Sequence, residues 1–278
     1  MQDKTKTWFI TGASKGLGLA LVKQLLGAGQ KVAATSRNIA ELTENVGYTG
    51  GNFLPIALNL TDDTAVKQAI AQTVTAFGTL DVLINNAGYG IGGSLEELSD
   101  NEIRTAFDVN VFGTVNTIRH TLPYMRQQSN GHIINISSIA GYAAGTGWSA
   151  YAGTKFALFG LTEVLAEDVK SFGIKATVVA PGAFRTSFLT DESITFPKAV
   201  IAEYEDVRAS HARTMALNGS QAGDPEKAAA LMIEAGFNPN PPLHLFLGTD
   251  AYNRAMAKIE NITAEITSLK DVSVSTNY

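Results

Sequence analysis

The feature that most constrains the fold of this chain is a regular alternation of short apolar runs with longer segments of helical periodicity. Such alternation predicts βαβ units, and therefore an α/β fold built on a parallel sheet flanked by helices. The seven predicted strands are Thr7 to Thr11, Lys31 to Thr35, Asn52 to Ala57, Val82 to Asn85, His132 to Ile136, Lys175 to Val179 and Leu243 to Leu247. We expect one wide sheet in a single domain spanning residues 1–278.

Helical patterns begin near Leu17, Asp62, Asn101, Ala150 and Pro225. Two helix starts carry local signals. Asp224 precedes Pro225 as an N-cap followed by proline, and Ser99 precedes Glu102 at the spacing of a capping box.

A long segment, residues 184–223, interrupts the alternation between a strand and the next clear helix. Insertions of this length after a strand are usually functional. Apolar residues at helical spacing predict a helix from Ala199 to about Leu217, which is either a lid or a surface helix packed on the domain. Beyond the last strand, residues 250–270 are expected to form an amphipathic helix, followed by a frayed tail from Asp271 to Tyr278.

Composition excludes several classes of protein. The net charge is −5 without a basic stripe, which argues against a nucleic-acid partner. The absence of cysteine excludes disulfides, thiol nucleophiles and cysteine-ligated metal sites. The polar segment from Met1 to Thr7 lacks the apolar core of a signal peptide, and no apolar run approaches the length of a membrane helix. We therefore expect a cytoplasmic protein that does not bind membranes.

A glycine-rich turn, residues 11–18, joins the first strand to the first helix. Its glycines allow a sharp turn and let an anion approach the helix N-terminus, which suits the pyrophosphate of a dinucleotide. The end of the second strand lacks the acid that would bind the ribose hydroxyls of NAD. Arg37 stands there instead, and Lys15 adds a second positive charge from the turn. Solvated surface charges are the alternative, but two at the expected places favour NADPH over NAD.

Tyr151 and Lys155 lie one helical turn apart, so both side chains project from the same face of a predicted helix. An ammonium group near a phenol lowers the free-energy cost of forming the phenolate. Ser138 ends a strand a short distance before this pair. A Tyr-x-x-x-Lys spacing alone is weak evidence, because most such pairs are ordinary helix-surface residues.

Further motifs follow in a set order: Asn85-Asn86-Ala87-Gly88 after the fourth strand, Asn110 in the next helix, and Pro181 to Thr186 after the sixth strand. Together with the glycine turn, Ser138, Tyr151 and Lys155, they resemble the short-chain dehydrogenase/reductase family. The resemblance covers residues 11–186 and implies a doubly wound Rossmann fold. It also implies a homodimer or homotetramer. Within the family, the chain resembles the branch that includes hydroxysteroid dehydrogenases and carbonyl reductases.

The resemblance implies hydride transfer between a nicotinamide and a small-molecule carbonyl or alcohol substrate, without a metal. Tyr151 would be the acid/base, and Ser138 would hold the substrate oxygen. Lys155 would bind the ribose and lower the tyrosine pKa, while Asn110 would hold a proton-relaying water. The implied cofactor-binding residues are Gly12, Ser14, Lys15, Gly16, Leu17, Gly18, Ser36, Arg37, Asn38, Asn59, Leu60, Asn86, Ala87, Gly88, Tyr151, Lys155, Pro181, Gly182, Phe184 and Thr186.

Two positions depart from the family pattern. Asn59 stands where many members have an aspartate that touches adenine, and Phe184 replaces a smaller aliphatic residue, so its ring is expected to narrow the pocket. Two other functions remain open: an epimerase or dehydratase with the same Tyr/Lys pair, and an NADPH-binding sensor without turnover. The substrate walls are expected to include Tyr142, Trp148, Phe188 and Phe196, whereas the four histidines at 120, 132, 211 and 244 are interpreted as surface or strand residues.

Overall fold

The computed structural model describes residues 5–278, so Met1 to Lys4 of the polar N-terminal segment lie outside it. The described strands are β1 (Thr7–Ile10), β2 (Lys31–Ser36), β3 (Phe53–Ala57), β4 (Val82–Asn85), β5 (Gly90–Ile91), β6 (Gly131–Ile136), β7 (Ile174–Pro181), β8 (Ile194–Thr195) and β9 (His244–Leu247). Seven of them form one parallel sheet in the order β3-β2-β1-β4-β6-β7-β9, and β5 pairs with β8. The predicted α/β fold with seven parallel strands is confirmed.

Helices cover both faces of this sheet. They are α1 (Gly16–Gly27), α2 (Ile39–Val46), α3 (Asp63–Phe77), α4 (Asp100–Phe107), α5 (Gly113–Gln128), α6 (Ser149–Val169), α7 (Glu205–Met215), α8 (Pro225–Phe237), α9 (Thr249–Ser268) and α10 (Lys270–Val274). Because successive strand residues point to opposite faces, Trp8 packs in the layer under α1 and α8, while Phe9 packs in the layer under α3 and α5. This burial on both faces explains why the strand runs are continuously apolar.

The strand order reverses between β1 and β4. Ile10 pairs with Ala34 on one side and with Ile84 on the other, so the chain leaves β1 and β4 on opposite sides of a crevice at their carboxyl ends. Open α/β sheets bind ligands at such a point.

Both predicted helix starts have the expected bonds. The Ser99 hydroxyl accepts from the backbone N–H of Glu102, and the Glu102 carboxylate accepts from the N–H of Ser99 at 2.9 Å. Asp224 accepts from the N–H of Glu226 at 2.9 Å, with Pro225 in the first helical turn. These caps depend only on neighbouring residues, which is why they could be found in the sequence.

The helix expected from Ala199 begins later, at Glu205, so the prediction is wrong for its first turns. The backbone there is held by side chains. Glu97 accepts from the N–H of Ile201 at 3.0 Å, and Arg208 donates to the carbonyls of Ile201 and Ala202. These bonds replace the intrahelical bonds that residues 201–202 would otherwise need.

The C-terminal helix is α9, which packs on the domain through the buried residues Ala251 and Ala255. Its last turns extend past the domain, because residues 259–278 are exposed. The expected frayed tail is wrong for residues 271–274, which belong to α10. Among the described helices, none combines the length and the apolarity that crossing a bilayer would require.

Candidate active site

A cleft of about 1520 Å³ runs along the carboxyl ends of the central strands. The segments that follow β1, β2, β3, β4, β6 and β7 line it. Most of the site residues predicted from the sequence line this one cleft: Gly12, Ser14, Lys15, Gly16, Leu17, Ser36, Arg37, Asn38, Asn59, Leu60, Asn86, Ala87, Gly88, Ser138, Tyr151, Lys155, Pro181, Gly182, Phe184 and Thr186. Gly18 and Asn110 are not part of its lining.

Ser138 reaches the cleft because the chain turns tightly after β6. The Ser137 hydroxyl donates to the carbonyl oxygen of Lys155 at 2.7 Å and so ties the strand end to α6. Gly141 packs so closely on the same helix that an added Cβ atom would lie 2.6 Å from the Lys155 backbone carbon. These contacts bring the Ser138 hydroxyl close enough to Tyr151 to influence the pKa of its phenol.

Tyr151 and Lys155 are both buried, and burial disfavours the charged form of each. It raises the pKa of Tyr151 to about 12, an effect that the Ser138 hydroxyl partly offsets. Burial also lowers the pKa of Lys155 to about 8. The Lys155 ammonium donates to the carbonyl oxygen of Ile136 at 2.9 Å, and its Nζ lies 6.0 Å from the centre of the Tyr151 ring. At neutral pH the tyrosine therefore holds its proton.

Asn110 lies behind this pair rather than in the cleft wall. It sits in a π-helical segment, Asp108–Phe112, and is completely buried. Its amide nitrogen donates to the carbonyl of Tyr89 at 2.9 Å and to the hydroxyl of Thr154 at 3.1 Å, while its Oδ1 accepts from the N–H of Tyr89. Both ends of the Asn110 amide are thus bonded to other residues of the protein. The water-holding role that the resemblance implies for Asn110 stays a prediction.

The glycine turn fits the diphosphate of a dinucleotide. A Cβ atom at Gly12 would lie 2.7 Å from the Cα of Ala87, and one at Gly18 would lie 2.5 Å from the Gly12 carbonyl oxygen. The close packing places the start of α1 at the crevice. Lys15 is the N-cap of α1 and makes no side-chain capping bond, so the N–H groups of the first turn have no side-chain acceptor from that residue. A helix start of this kind binds anions.

Asn86 fastens the glycine turn to the end of β4. Its amide nitrogen donates to the carbonyls of Thr11 and Gly12 at 3.0 and 2.8 Å. The Thr11 hydroxyl accepts in return from the N–H groups of Asn86 and Ala87, both at 3.0 Å. Thr11 was not among the predicted site residues, although its place at the strand end was a usable signal.

The polar residues after β2 and β3 form the other end of the cleft. Asn38 caps α2, accepting from the N–H groups of Ala40 and Glu41 at 3.1 and 3.2 Å, and Ser36 accepts from the N–H of Asn38. The Oδ1 of Asn59 accepts from Thr61, so its amide nitrogen is the group left for a ligand. These contacts hold the loop that carries Arg37.

The Pro181 to Thr186 turn is held by a residue from the far end of the chain. Asp250 accepts from the N–H of Ala183 at 2.8 Å, and a Cβ atom at Gly182 would lie 2.0 Å from the Asp250 carboxylate. Thr186 reaches the glycine turn, where its nearest atom is 3.6 Å from the position of a Cβ on Gly16. The two turns therefore meet across the cleft.

A family model described as short chain dehydrogenase matches residues 6–195. The chain belongs to the short-chain dehydrogenase family. It is 36% identical over 98% of its length to "Oxidoreductase BOA17" of Botryotinia fuckeliana, covering 99% of that protein. A short-chain dehydrogenase from Streptomyces avermitilis superposes with a TM-score of 0.91 at 37% identity, covering 99% of this chain and 100% of that one. The structure of ElxO with NADP bound superposes with a TM-score of 0.71 at 26% identity, covering 87% of this chain and 96% of that one.

In this short-chain dehydrogenase, aromatic rings wall the cleft beside Tyr151. The rings of Trp148 and Phe188 lie 6.2 and 6.0 Å from the Tyr151 ring, centre to centre, and Phe196 lies 6.2 Å from Trp148. The prediction that Tyr142 forms part of the substrate wall is wrong. Tyr142 is not part of the lining and packs instead between Phe159 and Phe246.

His211 packs against the rings of this wall from α7 but does not itself line the cleft, and it is partly exposed, in line with its interpretation as a surface or strand residue. Its Nε2 lies 2.8 Å from the Gly147 carbonyl oxygen, which assigns the proton to that nitrogen. The ring packs 5.0 Å from Trp148 and 4.9 Å from Phe196. No spacing in the sequence signals this contact, because His211 comes from α7 and Trp148 precedes α6.

Two other placements differ from simple expectation. Lys15 pairs with Glu192 at 3.1 Å, so its charge already has a partner from the 184–223 segment. The Phe184 ring lies over Gly223 and packs on the core under α1, although it still lines the cleft. Residues of the 184–223 segment thus contact the glycine turn.

Proposed function

We propose that this short-chain dehydrogenase is an NADPH-preferring oxidoreductase that interconverts ketones or aldehydes with alcohols, using Tyr151 as acid and base. The observation that carries the proposal is the meeting of Ser138, Tyr151 and Lys155 in the same cleft as the start of α1. A dinucleotide bound at that helix start would extend along the strand ends toward Tyr151.

Tyr151 is the proton donor in the reducing direction. With its pKa raised to about 12, it is protonated at neutral pH and can pass its proton to a carbonyl oxygen held by Ser138. Bound nicotinamide supplies the hydride chemistry. The Ser138 hydroxyl stabilises the negative charge that develops on the substrate oxygen.

Lys155 offsets the cost of leaving a phenolate behind. At a pKa of about 12, forming that anion at pH 7 costs on the order of 7 kcal/mol. The buried ammonium one helical turn away attracts the developing charge, and the low polarity of the site strengthens the attraction. Its bond to the Ile136 carbonyl aims the ammonium into the cleft, where we place the ribose hydroxyls.

The cofactor preference follows from charge at the adenosine end. Arg37 lines the cleft beside Ser36 and Asn38, and the end of β2 itself carries no carboxylate; the acidic residue that also lines the cleft here is Glu41, in the first turn of α2. A guanidinium there can bind a 2′-phosphate through two hydrogen bonds. Asn59 and Leu60 would contact the adenine, with the amide nitrogen of Asn59 as donor.

The substrate is an apolar carbonyl or alcohol. Trp148, Phe188 and Phe196 provide flat apolar walls next to the reacting tyrosine, and such walls suit an aliphatic or ring-containing molecule. We also propose that two copies pair through α6, where Phe156, Val164 and Leu161 are exposed large apolar residues.

The test is a panel of ketones and aldehydes incubated with NADPH while its absorbance is followed. Loss of NADPH in step with alcohol formation supports the proposal. An epimerase or dehydratase would alter its substrate without net consumption of NADPH, and a sensor would bind NADPH without turnover over the whole panel. Either result would reject the proposed reaction.

A further inference from the structure

Gln221 is a buried amide without a partner. Five buried side-chain polar atoms in residues 5–278 have no hydrogen-bond partner, and two of them are the Oε1 and Nε2 of Gln221. The others belong to Trp8, Thr121 and His132, which do not line the cleft, whereas Gln221 does. The unpaired amide therefore coincides with the ligand site.

An unpaired amide at this depth is costly. Gln221 is 2% exposed, and burial of an amide without hydrogen bonds destabilises a protein. Buried polar groups in folded proteins are nearly always paired, so a group that stays unpaired calls for an explanation. A ligand that presents one donor and one acceptor would satisfy both atoms at once.

The backbone of Gln221 is held firmly without help from its side chain. Its carbonyl oxygen accepts from Arg185 at 3.2 Å (Nε) and 3.1 Å (Nη2). Two residues later, Gly223 donates to the carbonyl of Ala183 at 3.0 Å and accepts from the N–H of Arg185 at 2.9 Å. The amide is thus presented from a fixed segment, and its two polar atoms are not needed to build that segment.

These bonds place Gln221 beside the turn that contains Phe184 and Thr186. That turn meets the glycine turn across the cleft and follows β7, whose carboxyl end adjoins the end of β6, where Ser138 lies. Under the proposed function, this is the nicotinamide half of the cofactor site. Gln221 therefore lies beside the half of the cleft that would hold the reacting end of the dinucleotide.

We propose that Gln221 recognises the carboxamide of the nicotinamide, and this inference rests on the proposed function. A primary carboxamide carries a donor and an acceptor side by side, which matches the side chain of glutamine. Nε2 would donate to the carboxamide oxygen, and Oε1 would accept from its nitrogen. The remaining hydrogen and lone pair of the carboxamide stay available to the 181–186 turn.

The test compares Gln221→Met, which keeps the length of the side chain without its polar atoms, with wild type. Thermal unfolding is measured without cofactor, and dissociation constants are measured by calorimetry for NADP+ and for its acetylpyridine analogue. The analogue keeps a carbonyl oxygen but lacks the N–H donors. We expect unchanged or higher thermal stability, and about tenfold weaker NADP+ binding from the loss of two hydrogen bonds. For the analogue the loss should be clearly smaller.

Gln128→Met is the matched control. The Gln128 side chain is fully paired, accepting from the N–H of Leu80 at 3.2 Å and donating to its carbonyl at 3.1 Å, and it does not line the cleft. Its loss should lower thermal stability and leave NADP+ affinity unchanged. The opposite responses of the two variants would separate a ligand-binding glutamine from a structural one.

Three results would overturn the inference. Gln221→Met behaving like Gln128→Met would make Gln221 structural. Equal losses of affinity for NADP+ and for the analogue would show that Oε1 does not accept a hydrogen bond from the carboxamide nitrogen. A change confined to the KM of the carbonyl substrate would assign the amide to the substrate. If wild type itself fails to bind NADP+, the proposed function fails and the inference with it.

Discussion

The Nζ of Lys155 lies 6.0 Å from the centre of the Tyr151 ring, and both side chains are buried one turn apart on α6. Burial disfavours ionisation of each group, yet the two charged forms would stabilise one another. The phenol therefore rests in its protonated form. As it loses its proton, the developing phenolate stabilises the charged form of the lysine. Proton transfer and charge stabilisation are thereby assigned to neighbouring residues.

Tyr151→Phe removes the hydroxyl that donates the proton. We expect turnover of any active carbonyl substrate to fall by at least about a hundredfold, the usual minimum for a lost general acid. NADPH affinity should stay within a few-fold of wild type, because the ring remains packed against Trp148 and Phe188. Steady-state rates and an NADPH titration check both statements, and activity near the wild-type level would reject the acid role.

Lys155→Met should change how stability depends on pH. The folded pKa is about 8 against an ordinary value of 10.5, so between these values the unfolded chain binds more protons than the folded one. Wild-type stability should therefore rise relative to the variant from pH 8 to pH 10, by about 2–3 kcal/mol, and that gain is lost as pH falls through 8.

Denaturant unfolding at several pH values measures this difference. Lys227→Met, at an exposed position on α8, serves as the control. A stability difference between wild type and Lys155→Met that stays constant from pH 8 to pH 10 would contradict the burial of an ionisable ammonium.

Arg37→Asp reverses the charge at the adenosine end of the cleft. We expect NADPH affinity to fall by about tenfold or more, because a charge-assisted hydrogen-bonded pair is lost and a repulsive carboxylate replaces it. NADH binding should improve or stay equal, since the new carboxylate can accept from ribose hydroxyls. The ratio of the two dissociation constants is the measurement, and an unaltered ratio would show that Arg37 does not touch the phosphate.

Gly182→Ala forces a Cβ atom to within 2.0 Å of the Asp250 carboxylate, which is bonded to the N–H of Ala183. We expect a loss of about 1–3 kcal/mol in stability from this overpacking, and weaker NADPH binding because the turn lines the cleft. Gly27→Ala is the control, since nothing lies within 4 Å of its Cβ position. Equal stability of both variants would mean that Asp250 moves aside without cost.

Local features of this protein could be predicted because neighbouring residues decide them. The seven strands follow from continuous apolar runs buried on both faces, and the caps at Ser99 and Asp224 depend on residues two or three positions away. The shared cleft position of Tyr151 and Lys155 follows from one helical turn between them. The helix expected from Ala199 failed for the opposite reason, because Glu97 lies far away in the sequence.

The amino-acid sequence by itself determined the strand and helix order, the glycine turn and the residue types that carry the chemistry, since backbone propensity and periodicity act over short distances. Only the tertiary structure decided which distant side chains meet: Asp250 with Gly182, His211 with Trp148, Glu192 with Lys15, and Gln221 with the cleft. The physical reason is that these contacts depend on the order of strands in the sheet and on the path of the 184–223 segment. Neither the strand order nor the path of that segment is encoded by a periodic pattern of residues in the sequence.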